Sequence, residues 1–103
     1  MVMMTIENIG RDFEPLGLVR GSMIQSTHIG RDMMAGFKTI VGGELKGYTE
    51  MMEESREMAL QRMMKQAEML GADTIIGVRF TSSSVMQGAA EVTAYGTAVR
   101  FIK

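Results

Sequence analysis

The stretch from Tyr48 to Asp73, YTEMMEESREMALQRMMKQAEMLGAD, limits the folds open to this chain more than any other segment. At about 100° per residue, Tyr48, Met52, Ala59, Met63, Ala67 and Leu70 fall on one side, and Leu60 and Met64 widen that stripe. Glu50, Glu53, Glu54, Glu57, Gln61, Lys65 and Glu68 gather on the other. The segment therefore reads as a helix with one core face and one solvated face. Two features depart from that pattern: Arg56 projects into the apolar stripe, and Met51, Met58 and Met69 form a second apolar line beyond the charges.

A helix with one core face needs a second layer, and the short, Gly-punctuated remainder of the chain must supply it. Met3 to Ile6 can form a short strand, with Asn8 to Asp12 as a turn. Leu16 to Gln25 alternates as a strand, with Leu16, Leu18, Arg20, Ser22 and Ile24 on one face and Gly17, Val19, Gly21 and Met23 on the other. The nearly bare Gly17/Gly21 face calls for a close backbone or helix. Arg31 to Val41 reads as a short helix from the spacing of Met33, Phe37, Ile40 and Val41, with Gly42 as its cap. Thr49 is the expected N-cap of the long helix and Gly71 its C-terminal stop. Thr74 to Ser82 is the clearest strand, Ser83 to Ala90 a turn, and Glu91 to Ile102 a second long strand completing an antiparallel hairpin. The expected fold is α+β in two layers: a small antiparallel sheet of about three main strands, packed by one long and one short helix, in a single domain spanning residues 1–103.

Such a sheet is incompletely covered. One main helix screens part of one face, while Ile75, Val92, Val99, Phe101 and the extra Met line still need cover. The reading is an obligate homo-oligomer in which neighbouring subunits supply the missing layer, with Met51, Met58 and Met69 as contact residues.

Composition narrows the functions. There is no Cys, which removes disulfides, thiolate ligands and Cys nucleophiles and suits a reducing, cytoplasmic setting. Eleven basic against twelve acidic residues leave a net charge of −1, so there is no electrostatic case for nucleic acid or an anionic membrane as partner. Apolar Met1 to Ile6 runs straight into Glu7 and Asn8 without a basic start, unlike a signal peptide. No run approaches the roughly 18 apolar residues of a membrane span.

The motifs weaken on inspection. Gly42 to Thr49 has P-loop glycine spacing, but Tyr48 stands where a Lys must reach the phosphates. His28 is the only imidazole, so a metal site inside one subunit lacks ligands, whereas a ring of His28 around an oligomer axis restores the count. Adjacent Met pairs split between two helix faces and cannot chelate together, which favours adaptable packing over a soft-metal site. Arg56 in an apolar stripe must be paired or reach water, and Asp73 and Glu91 are both candidate partners. No triad, carboxylate dyad or dinucleotide fingerprint can be assembled, so no reaction is assigned.

Taken together, Leu16 to Ser22 (LGLVRGS), Arg31-Asp32, Val41-Gly42-Gly43 with Gly47-Tyr48, Arg56, Ala59, Leu70 to Asp73 (LGAD), Gly77-Val78 and Gly96 to Val99 (GTAV) resemble the bacterial and archaeal YbjQ family, which carries a heavy-metal-binding label. The resemblance implies a small α+β subunit, similar to the dodecin-like arrangement, assembled as a homopentameric ring, and no established reaction. Under that label the metal ligands would be His28 and Asp32. The functional expectation is a ring-forming, non-enzymatic protein that binds a metal ion or small ligand at subunit interfaces. The alternatives are an enzyme or cofactor carrier with inter-subunit pockets where Tyr48, Arg56 and Tyr95 meet, Asp73 being a further structural or pocket residue, and a purely structural assembly module.

Overall fold

The computed structural model describes residues 1–26, 40–41, 44–86 and 88–103. The elements are β1 (Val2–Met3), β2 (Phe13–Ser26), β3 (Ile40–Val41), β4 (Glu44–Leu45), α1 (Lys46–Met69), β5 (Thr74–Met86) and β6 (Ala89–Phe101). One helix packs on a four-stranded sheet of order β1-β5-β6-β2, while β3 and β4 form a separate two-stranded ribbon.

The sheet has four strands where the sequence pointed to about three, and it is mixed. The extra strand is β1, which joins β5 in parallel with Val2 opposite Thr74 and Met3 opposite Ile75. Its continuation stays on that edge, since Ile6 and Met4 carbonyls accept the Gly77 and Val78 N–H groups. The short helix expected over Arg31–Val41 falls largely outside the described residues. Its last two positions, Ile40 and Val41, are strand and pair with Leu45 and Glu44. That ribbon leads directly into α1 at Lys46, so Thr49 lies inside the helix rather than capping it.

The other end of α1 follows its sequence. Gly71 adopts a positive φ of 77°, the Gly71 N–H reaches Glu68 O and the Ala72 N–H reaches Ala67 O. This is the paired 5→2 and 6→1 bonding of a Schellman turn, for which glycine is favoured because it has no Cβ to clash.

Helix and sheet meet through small residues. Ala59, Met63 and Ala67 of α1 are fully buried against Val19, Ile75, Val78, Val92, Ala94 and Ala98, with Leu16, Met52 and Leu60 packed at the margin. At Gly21 the strand backbone presses on the helix backbone: a Cβ there would collide with Ala59 O and Met63 N. Gly17 plays a different part from the close approach expected of it. It has open space around it and a φ of 138°, beside a register shift between Pro15 and Gly17 that also turns Leu16 toward the core.

A second irregularity reorganises β5. Between Ile76 and Arg79 two residues, Gly77 and Val78, oppose one on β6, and Gly77 has a φ of 63°. The bulge breaks the alternation expected along Thr74 to Thr81. Ile75, Val78 and Phe80 face the helix, whereas Thr74, Ile76, Arg79 and Thr81 face away. The β5–β6 hairpin is longer than anticipated, because Ser83–Met86 and Ala89–Ala90 continue the ladder instead of forming the turn.

Candidate functional site

Two places outside the core collect chemistry. The first is the sheet face turned away from α1. Strand register lines up Arg20, Tyr95 and Arg79 across three strands, then Ser22, Thr93 and Thr81, then Ile24, Glu91 and Ser83. The Thr93 hydroxyl donates to the Glu91 carboxylate at 3.3 Å, which leaves its oxygen to accept from Ser22 at 2.8 Å. Arg79 is held by the Thr5 and Val78 carbonyls at 2.9 and 2.8 Å. Around this polar centre, Leu18 is 69% exposed, Ile24 55% and Tyr95 39%. Toward the other end of the same face Ile76 and Val99 are buried, which we attribute to residues 4–12 crossing from the β5 edge to the β2 edge.

The second is a cleft of about 110 Å³ between α1 and the β5–β6 hairpin, lined by Met52, Arg56, Phe80, Thr81, Ser82 and Val92. Arg56 reaches it because its position on α1 lies between Met52 and Leu60, on the margin of the core face. Neither carboxylate expected for Arg56 serves it. Asp73 accepts the Phe101 N–H at 2.8 Å and tethers the end of β6. Glu91 lies on the opposite sheet face, bonded to Thr93. The one described ion pair joins exposed Arg100 and Glu14 at 2.6 Å; the Glu14 hydrogen bond and then its charge raise the Arg100 pKa above its usual value.

Tyr95 and Arg56 lie on opposite sides of the sheet and do not meet within one chain. Tyr48 belongs to the first turn of α1, its side chain being outside those described. His28 and Asp32 are also outside the described residues. Met51 and Met58 are half-buried and Met69 is 83% exposed. A broader groove of about 470 Å³ follows the outer side of α1 past Met3, Met58, Leu60 and Met64. Among the described residues no three of His, Cys, Asp and Glu come close enough to hold a metal ion, and no helix is long and apolar enough to cross a membrane. Sequence reasoning missed the Phe80–Ser82 wall of the cleft, because the Gly77 bulge that turns Phe80 toward α1 has no signal beyond the glycine itself.

Comparison with known proteins accords with this architecture. A crystal structure of a protein of unknown function in the DUF74 family from Pediococcus pentosaceus superposes with a TM-score of 0.71 at 19% identity, covering 99% of this chain and 98% of that one; at this identity the likeness concerns the fold. A UPF0145 protein of Thermotoga maritima is 55% identical over 105 residues, covering 100% of this chain and 99% of the relative. One from Photobacterium profundum is 58% identical over 97 residues, covering 93% and 94%. The YbjQ_1 family model, described as "Putative heavy-metal-binding", matches residues 1–102. By whole-chain match and by identity to these relatives, the chain belongs to the YbjQ (UPF0145) family.

Proposed function

We propose that this protein is a non-enzymatic, single-domain assembly module whose working form is a homo-oligomer, a homopentameric ring in a cytoplasmic setting, with ligand sites between subunits. The observation that carries this reading is the shape of the single chain. Its Cα radius of gyration is 16.7 Å, whereas a compact chain of this length has about 13 Å. Its accessible surface is 7056 Å², against roughly 5,800 Å² for a folded monomer of its mass. The excess suits a subunit that buries a patch of about 800 Å² per partner, and the sheet face that sets Leu18, Ile24 and Tyr95 around its polar centre is a surface available for it. Met51, Met58 and Met69 form the second contact line of the proposal, thioethers being adaptable packing groups. Light scattering and native mass spectrometry at micromolar concentration are expected to return a particle of five chains; a monomer overturns the reading.

For the ligand, the family description favours a heavy metal, with His28 and Asp32 repeated around the ring axis as its donors, since one subunit has no second His. Metal analysis of untagged protein is expected to find metal at stoichiometric level, lost in His28→Ala. Absence of metal from the wild-type protein removes this part of the proposal and leaves assembly standing.

A further inference from the structure

The cleft at Arg56 points to a second kind of ligand. Arg56 is the one charged side chain lining it, and among the described residues its guanidinium has no hydrogen-bond or ion-pair partner. No buried side-chain nitrogen or oxygen among those residues lacks a partner, so the Arg56 nitrogens retain solvent contact, on a residue that lines the cleft. A guanidinium on the margin of a core face, wetted on one side and without an acceptor, is a preformed anion-binding group.

The opposite wall supplies further donors. Beyond Val78, no described strand pairs with the outer edge of β5. On β2 the Arg20 N–H and the Ser22 carbonyl face outward, taken by Gln66 and Arg62. Following the antiparallel alternation inward through the β2–β6 and β6–β5 registers leaves the Phe80 and Ser82 backbone groups facing away from β6. The Ser82 hydroxyl stands on the same strand segment, opposite Val92, and Met52, Phe80 and Val92 make much of the rest of the lining apolar. One cation and strand-edge donors fit the head of a monoanion, while the Met, Phe and Val surfaces fit a hydrocarbon stub.

We propose that the α1/β5 cleft binds a small monocarboxylate, its carboxylate held by Arg56 and its short apolar chain lying between Met52, Phe80 and Val92. The volume of about 110 Å³ suits the short apolar chain of such an acid. The residues invoked here belong to one chain, so the proposal does not rest on the metal or on the ring.

Butyrate titrated into untagged protein in chloride buffer, followed by calorimetry and by amide chemical shifts, is expected to saturate with shifts centred on Phe80 to Ser82. Arg56→Gln weakens binding at least about tenfold, and Arg56→Lys, which keeps the charge without the planar fork, binds between the two. Ser82→Leu, an exposed change that narrows the mouth and leaves Arg56 in place, abolishes binding with an unchanged circular-dichroism spectrum. No saturable binding to the wild-type protein overturns the proposal, as does equal affinity in a folded Arg56→Gln variant. Inorganic phosphate binding more tightly than butyrate overturns the monocarboxylate class. A change of oligomer mass in Arg56→Gln, with no butyrate binding in the wild type, assigns Arg56 to a subunit contact instead.

Discussion

A methyl group at Gly21 would occupy the space now held by the α1 backbone at Ala59 and Met63. Backbone, unlike the end of a side chain, cannot swing away, so Gly21→Ala must push the helix off the sheet. Overpacking of this kind costs typically 1–3 kcal/mol, and we expect the upper end or outright misfolding, measured as a lower urea midpoint. The control is Gly17→Ala, which meets no neighbouring atom and bears only the strain of its positive φ. The two glycines looked equivalent in the sequence, because spacing reports a shared face and says nothing of what lies across it. Arg56 repeats the lesson: its place on the apolar stripe was legible, its surroundings were not. Choosing between Asp73 and Glu91 required knowing that Asp73 closes on Phe101 and that Glu91 faces away from the helix.

At the scale of elements, α1 was readable almost to its ends, since a long amphipathic period and a Gly71 stop are local signals. Its start was misread because β3 and β4 are a two-residue ribbon, too short to show a period. The β5–β6 hairpin was readable as a pair of strands, but Ser82 to Met86 carries polar residues on both faces and resembles a turn in composition. Helix and sheet edge are further joined by side chains: Gln66 Oε1 accepts the Arg20 N–H at 2.7 Å, and Arg62 donates to Ser22 O at 2.5 Å. These contacts occupy part of an edge with which no described strand pairs, a device that blocks further strand addition. Gln66→Ala is expected to speed hydrogen exchange of the Arg20 amide and to cost roughly 0.5–1.5 kcal/mol. An unchanged exchange rate would show that the edge amide is protected by something else.

For the whole molecule, the decisive dimension is the smallest. The chain extends 54 × 28 × 18 Å, and its described residues are mainly one four-stranded sheet with one helix on one face and the polar-centred face left open. Leu18 and Ile24 are exposed within the single chain, so Leu18→Glu with Ile24→Glu should change the stability of an isolated subunit by about 0.5 kcal/mol or less. In an assembly that buries this face the same pair places two charges in an apolar contact. The expected outcome is a folded monomer by light scattering, and an unchanged oligomer mass would exclude this face as the contact surface. Of the residues expected to need cover from a neighbour, Ile75, Val92 and Val99 are buried within the single chain, because the bulge and the irregular segment redistribute what the strand period assigned to each face. The path of residues 4–12, from Ile6 O at the Gly77 N–H to Asp12 O at the Ile102 N–H, was not legible, since an irregular segment has no period.

The β2–β6 pairing also sets the order in which this chain can fold. β2 leaves its neighbours in sequence and waits for β6, with Phe13 opposite Phe101 and Ser26 opposite Ala89, while the β5–β6 hairpin closes through a turn at Gly88. Contacts of such long sequence separation lose loop entropy before they gain packing, which places folding in the slower range for chains of this size. On a ribosome, the first long strand synthesised remains without its partner until β6 has emerged, so the sheet closes only once that strand is free to pair.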